Sequence, residues 1–307
     1  MNQSSLPQSV GWVSQPVPKT HVLQSGPPAV AAATNLRISL SQLTTLRWTL
    51  LDEVLQLKAS GYDGIGLWRP KIAEIGEDLS AELIRDNGLG VSSLSFAGGF
   101  TGVNGLSYDD ALADARDAIA DAEMLGAENL IVVSGTRNGH TVRHSRRLLV
   151  DALCELADFA GLRGVRLCLL PMHQFFAGSW TYLNTLDETL ELLGRVNHPH
   201  AGLAFDTYQL CQEPQLIERI PELAAMTGVV QISDARRPPQ SRAERCVPGE
   251  GTIPLAEIVR AFHRSGFDGY YDVQVWSNAG WSGDYQLAAA QCRKAVLRLV
   301  EQPAAMT

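Results

Sequence analysis

From Asn35 almost to the end of the chain, short apolar runs rich in β-branched residues alternate with longer stretches in which apolar residues recur every three or four positions. The short runs read as strands buried on both faces and the long ones as amphipathic helices. Their regular alternation is the signature of βαβ units around a parallel sheet. Eight strands are predicted: Leu36–Leu40, Gly64–Trp68, Val91–Ser95, Asn129–Ser134, Val165–Leu170, Gly202–Asp206, Val229–Ser233 and Tyr271–Trp276. Their first residues fall 27 to 42 positions apart, which leaves room for one helix and two loops in each interval.

The helical stretches carry one buried face each. Leu112, Ala115, Ile119 and Ala122 recur at that spacing, and Leu255, Ile258, Val259 and Phe262 do so behind Pro254, a residue suited to a helix start. Gly61, Gly88, Gly126, Gly164 and Gly266 stand where helices stop just before the next strand. An open doubly wound sheet would carry a glycine-rich turn after its first strand, but Ile38–Thr45 reads ISLSQLTT. The pattern therefore predicts an α/β protein folded as a single (β/α)8 TIM barrel over residues 35–303. Residues 1–34, rich in Ser, Gln, Pro and Ala, read as a flexible N-terminal leader without the apolar stretch of a secretory signal. Trp12 within it is the one residue suited to a lid or a partner arm.

Composition narrows the partners. The chain has 307 residues, 45% of them hydrophobic and 19% charged, an ordinary globular balance, and no apolar run approaches the roughly 18 residues of a membrane span. A formal charge of −8 argues against nucleic acid, whose phosphates call for a basic face. The five cysteines, Cys154, Cys168, Cys211, Cys246 and Cys292, are odd in number and widely spread, which suggests neither a disulfide framework nor a zinc knuckle and is read as a reducing, cytoplasmic setting. The expected partner is a small-molecule substrate.

In a barrel of this kind the chemistry sits at the C-terminal ends of the strands. There the sequence gathers polar residues after strands five to eight: His173 and Gln174, then Asp206, Tyr208 and Gln209, then Gln231 and Asp234, then Asp272 and Gln274. Arg236, Arg237, Arg242 and Arg245 follow strand seven, where guanidinium groups can clamp an anionic substrate, or else pair with Glu244 and Glu250 at the surface. Trp68, Phe96, Phe175, Phe176, Trp180, Tyr208, Trp276 and Trp281 make the predicted mouth aromatic in a chain with only 7% aromatic residues. That suits a ring or flat substrate less polar than a free sugar phosphate.

Taken in order, IGLWRPK, the run from Leu170 to His173, FDTYQ, QISDARRPP with the later PGEGTIPL, and YYDVQVWS resemble the xylose isomerase-like barrels, a family of sugar phosphate isomerases and epimerases. The resemblance spans about Asn35 to Val300. It implies a divalent metal held by a glutamate ending strand five, an aspartate ending strand six, a histidine or glutamine in strand seven and a glutamate in strand eight. The two glutamates would also shuttle the proton. Those places hold Leu170, Asp206, Gln231 and Gln274 here, and a histidine often found three residues after the aspartate is Gln209. A leucine gives a metal nothing, and a glutamine amide is no base near neutral pH.

The expectation is therefore an isomerase, epimerase or lyase without a cofactor, a repurposed biosynthetic cyclase or lyase included, that moves protons by acid/base chemistry. Its substrate would be a small carbonyl, cyclic or polyol compound. Asp206 and His173 are the expected catalytic residues, with Asp206, freed of a metal, shifted toward general acid/base use by desolvation. Gln209, Gln231, Gln274, Tyr208, Trp68, Arg236, Arg245 and Trp276 are expected to bind substrate. Two alternatives stand beside this: a sugar (phosphate) isomerase or epimerase retaining Mn, Mg or Zn at Asp206, Gln231 and Gln274, and a non-catalytic ligand-binding barrel. Members of the family often dimerise, so a homodimer is the expected assembly.

Overall fold

The computed structural model describes residues 36–241, 244–277 and 284–301. The predicted leader with Trp12, as well as Arg242 and Trp281, lie outside the described residues. In chain order the elements are β1 (Arg37–Ser41), α1 (Leu50–Ala59), β2 (Gly64–Trp68), α2 (Arg69–Ile72), α3 (Glu77–Asp86), β3 (Gly90–Gly98), α4 (Tyr108–Leu125), β4 (Asn129–Val133), α5 (Val142–Gly161), β5 (Arg166–Leu169), α6 (Leu186–Val196), β6 (Ala201–Asp206), α7 (Leu216–Leu223), β7 (Thr227–Ile232), α8 (Leu255–Arg264), β8 (Tyr270–Val273) and α9 (Tyr285–Glu301). Each strand pairs in parallel with the next, and β8 returns to β1 with Arg37 opposite Tyr270 and Leu40 opposite Val273, closing the eight-stranded (β/α)8 barrel.

Local chemistry explains most boundaries. Thr49 and Ser107 each open a helix with a capping box, accepting from the backbone N–H of Asp52 and Asp110 while those carboxylates accept from the cap residue's own N–H. The five predicted glycine stops all have positive φ; Gly126 closes α4 in the left-handed conformation at φ 72°, which costs other residues steric strain. Two strands stop earlier than their apolar runs suggest. Leu170 still donates its N–H to Val132 O at 2.9 Å, but Pro171 has no N–H to carry the β5 ladder on. At the end of β8, Gln274 N reaches Ile232 O at 2.9 Å, whereas Val275 N leaves the sheet for the Thr44 hydroxyl at 3.0 Å.

Apolar side chains pack between the barrel and its helices, among them Val54, Leu94, Ile119, Leu153, Leu203 and Phe262. The barrel interior is partly polar. The Asn129 amide donates to Ser92 O at 2.9 Å and Gly228 O at 3.2 Å and accepts from Cys168 Sγ at 3.3 Å. Further along the axis, Asp272 accepts from the hydroxyls of Ser39 at 2.6 Å and Ser92 at 3.3 Å, while its second oxygen has no protein partner. No helix among the described residues is long and apolar enough to cross a membrane.

Candidate active site

A cavity of about 220 Å³ opens at the C-terminal ends of the strands. Leu170, Asp206, Gln231 and Gln274, which close strands β5 to β8, all line it, together with Gln209, Arg245 and a wall of apolar side chains. Trp68, Phe96, Phe176, Trp180 and Trp276 belong to that wall, with Phe96 and Trp180 set edge to face at 6.2 Å between ring centres. Of the other aromatic residues expected at the mouth, Phe175 is half exposed and does not reach the cavity.

The charged centre of the site is an ion pair. Arg245 Nη1 donates to Asp206 Oδ1 at 3.0 Å and Nη2 to Oδ2 at 2.7 Å, with 5% and 1% of the two side chains exposed. Asp206 Oδ1 also accepts the backbone N–H groups of Tyr208 at 2.9 Å and Gln209 at 3.2 Å. Arg245 Nη1 makes a further bond to Ser233 Oγ at 2.9 Å, and the Tyr208 ring lies 4.6 Å beneath the guanidinium. Asp206 is therefore not the unpartnered, desolvated carboxylate expected from the sequence. Four donors from three residues hold it, two of them guanidinium N–H groups.

The loop between β7 and α8 brings Arg245 into place. Asp234 organises that loop, its carboxylate accepting from Ala235 N at 2.8 Å and from Gly249, Gly251 and Ile253 N at 3.0 Å each. A Cβ on Gly251 would lie 2.2 Å from Asp234 Oδ1, so only glycine fits. Antiparallel bonds between Asp234 and Cys246, and from Arg245 N to Trp276 O at 3.1 Å, then fix the returning strand of the loop over the barrel mouth.

Three expected site residues have other duties. His173 does not line the cavity. Its Nδ1 accepts from Phe175 N at 3.2 Å, its Nε2 faces Gln212 Oε1 and must donate, and its backbone N–H meets Gln209 Oε1 at 2.9 Å. Both ring nitrogens are thus engaged within the loop, and the backbone N–H holds the Gln209 side chain. Tyr208 is wholly buried and its hydroxyl donates to Ser241 O at 2.6 Å; burial pushes its pKa up to about 12. It supports Arg245 rather than substrate. Arg236 is 71% exposed and pairs with Glu250 at 2.9 Å, as Arg237 does with Glu244, so among the described arginines of this loop Arg245 alone lines the cavity.

The sequence did not single out Glu53 and Lys71, and it placed Asp272 at the strand ends without giving it a role. Glu53 and Lys71 form a second buried ion pair at 2.6 Å, which also binds Gln42 and Thr45, and Gln42 in turn accepts the Trp68 N–H at 2.7 Å. Asp272 stands two residues before Gln274 on the same inward face; full burial pushes its carboxyl up to about 7, against the pull of the Ser39 and Ser92 hydroxyls.

These donors do not suit a divalent cation. The Asp206 carboxylate is bridged across both oxygens by Arg245, Leu170 offers no ligand atom, and the described residues contain no cluster of three or more His, Cys, Asp or Glu able to hold a metal. The position nearest the carboxylate already carries a fixed positive charge.

An eight-stranded parallel barrel with its polar groups at the C-terminal strand ends is the architecture of many enzymes, whose active sites lie at that face. The model of the xylose isomerase-like TIM barrel family matches residues 54–295, and the chain belongs to that family. The 3-dehydroshikimate dehydratase of Pseudomonas putida is 23% identical over 269 residues, covering 84% of this chain but 41% of the dehydratase. The chain thus spans about two fifths of that relative. A putative hydroxypyruvate isomerase of Streptomyces coelicolor is 26% identical over 244 residues, 73% of this chain and 85% of the isomerase. Among solved structures, a Sinorhizobium meliloti protein superimposes with a TM-score of 0.80 at 26% identity over 86% of this chain and 98% of its own. The distant relatives of this chain are thus isomerases and dehydratases.

Proposed function

We propose that this protein is an enzyme of the isomerase, epimerase or lyase type that moves a proton on a carbon next to a carbonyl, with Arg245 supplying the fixed positive charge that a divalent metal supplies elsewhere in the family. The observation that carries this reading is the Arg245–Asp206 pair, which lines the cavity at the place the family uses for its metal. Small oxygen-rich carbonyl compounds are the substrates named for the distant relatives, 3-dehydroshikimate and hydroxypyruvate.

Asp206 Oδ2 has one hydrogen-bond partner, against three for Oδ1, so it keeps a lone pair for a substrate proton. The rate comes from making the carbon acid stronger. The bonds of Arg245 to Asp206 and Ser233 use both hydrogens of Nη1 and one of Nη2; the Nε edge is then available to a substrate oxygen. As Asp206 removes the proton, the electron pair moves onto the carbonyl oxygen, where the guanidinium stabilises the enolate. Movement of the α-hydroxyl proton to the enolate oxygen, with return of the carbon-bound proton to the former carbonyl carbon, gives isomerisation. Delivery of a solvent proton to the opposite face gives epimerisation, and expulsion of a β-hydroxyl, which takes the proton Asp206 removed and leaves as water, gives dehydration. Gln209, Gln231 and Gln274 orient the substrate by hydrogen bonds, and Trp68 and Trp276 contact its carbon skeleton.

Incubation of the full chain in D2O with uncharged ring hydroxyketones such as 2-hydroxycyclohexanone, followed by NMR, tests the step common to all three outcomes. Deuterium should enter the carbon next to the carbonyl, survive dialysis against EDTA, and fall at least about 100-fold in Asp206→Asn. Full exchange in Asp206→Asn, or exchange lost to EDTA and restored by Mn or Zn, would overturn the reading. Ligand-dependent melting shifts without exchange would return the chain to a binding role.

A further inference from the structure

The reacting end of the site leaves two polar groups unaccounted for. Gln231 and Gln274 are 2% and 6% exposed, both line the cavity, and the Oε1 atom of each is buried without a hydrogen-bond partner. A buried amide oxygen left unpaired is costly, and these two stand on neighbouring strands, Gln231 beside Asp272 in the β7–β8 register and Gln274 two residues further on. Apart from Asp206 and Arg245, which neutralise each other, no lining residue of the cavity among the described residues carries a charge.

From these observations we infer that the cavity selects an uncharged, single-ring compound with hydroxyl groups along one edge and an apolar face, in preference to a phosphorylated sugar. This rests on the reading of Arg245–Asp206 as the reacting end. Hydroxyls suit the two amides because an O–H donates to an amide oxygen and accepts from an amide N–H, so either end of the glutamine is satisfied. The ring face meets Trp68, Phe96, Trp180 and Trp276, and an apolar surface on the ligand uses what these aromatic walls offer. Size sets the limit to one ring, since about 220 Å³ lies below the roughly 300–1,000 Å³ of common small-molecule sites. Charge disfavours the phosphate: a dianion would enter a nearly dry space whose guanidinium is already paired, with no second cation among the described lining residues to meet it.

Calorimetric binding to the full chain tests this with ring compounds that have no carbonyl and cannot react: cis-1,2-cyclohexanediol, cyclohexanol, myo-inositol and myo-inositol 1-phosphate. The diol should bind about tenfold more tightly than the mono-alcohol, inositol should bind, and its phosphate should bind at least tenfold more weakly than inositol. Gln231→Met and Gln274→Met, checked for unchanged melting, should each bring the diol down to the affinity of the mono-alcohol. Phosphate binding as tight as or tighter than inositol in the wild-type chain, which needs no variant, would overturn the inference. So would a diol no better than cyclohexanol. Because none of these alcohols has an exchangeable carbon-bound proton, the result stands apart from the deuterium test: failure of exchange with diol preference intact would condemn the reaction and spare the specificity.

Discussion

Two buried ion pairs sit on opposite sides of the barrel mouth and look alike in isolation. Glu53–Lys71 and Asp206–Arg245 are 2.6 and 2.7 Å long, and in each the cation is 5% and the anion 1% exposed. Their surroundings differ. Glu53 and Lys71 turn to Gln42, Thr45 and the Thr45 carbonyl, all of them protein groups, and neither residue lines the cavity. Asp206 and Arg245 do line it, beside amides whose oxygens have no partner. Burial and pairing alone thus say little about function, because desolvation offsets most of the attraction in either case. Hydrogen-bonding capacity left open next to the pair is what marks a binding place.

The strongest way to break this comparison is to remove each cation. Arg245→Met and Lys71→Met should both lose about 3–5 kcal/mol of stability in urea, because each strands a buried carboxylate. Only Arg245→Met should also lower proton exchange per folded molecule by about 100-fold or more. Equal loss of exchange in both would mean that the two pairs do the same work.

A smaller effect separates Asp272 from both pairs. Its folded-state pKa of about 7 lies above the roughly 3.9 of an unfolded aspartate, so between those values the folded chain keeps a proton that the unfolded chain releases. The stabilising contribution is complete below about pH 4 and declines as pH rises, levelling off above about 7 after a loss of a few kcal/mol. Relative to Asp272→Asn, the wild-type chain should therefore weaken steadily across that window in denaturant titrations. A constant difference between the two would remove the buried proton from the picture.

Gly251→Ala should cost about 1–3 kcal/mol by forcing the Asp234 carboxylate off its loop amides, and should reduce exchange through displacement of Arg245. At the small end, Arg236→Ala should change stability by under about 0.5 kcal/mol and leave exchange as it was, since its pair with Glu250 is solvated. A large effect there would restore Arg236 to the site.

The barrel was legible in the chain because it rests on local signals: apolar runs of strand length, glycines able to turn left-handed, and Thr or Ser before helices. The boundaries that moved depended on distant groups, as when Thr44 draws the Val275 N–H out of β8. The site was legible in part. Asp206, Gln209, Gln231, Gln274, Trp68 and Trp276 sit at or next to strand ends, where position along the strand decides direction. Arg245 and Arg236 follow the same strand and differ in nothing the sequence displays. What separates them is the path of residues 233–254, set by four amides converging on Asp234. His173 misled for a related reason, since a histidine of suitable position gives no sign that its two nitrogens are engaged by Phe175 and Gln212.

The loop that carries Arg245 has an evolutionary consequence. In a barrel whose cation is a metal, several strands must each contribute a ligand, and losing one empties the site. Here the cation is covalently part of a connection tied down at one aspartate, so it is inherited as a single codon and is present whenever the chain is folded, whatever ions the surroundings supply. Such a site keeps the charge at its centre whatever residues stand at the remaining strand ends, Leu170 and Gln274 among them.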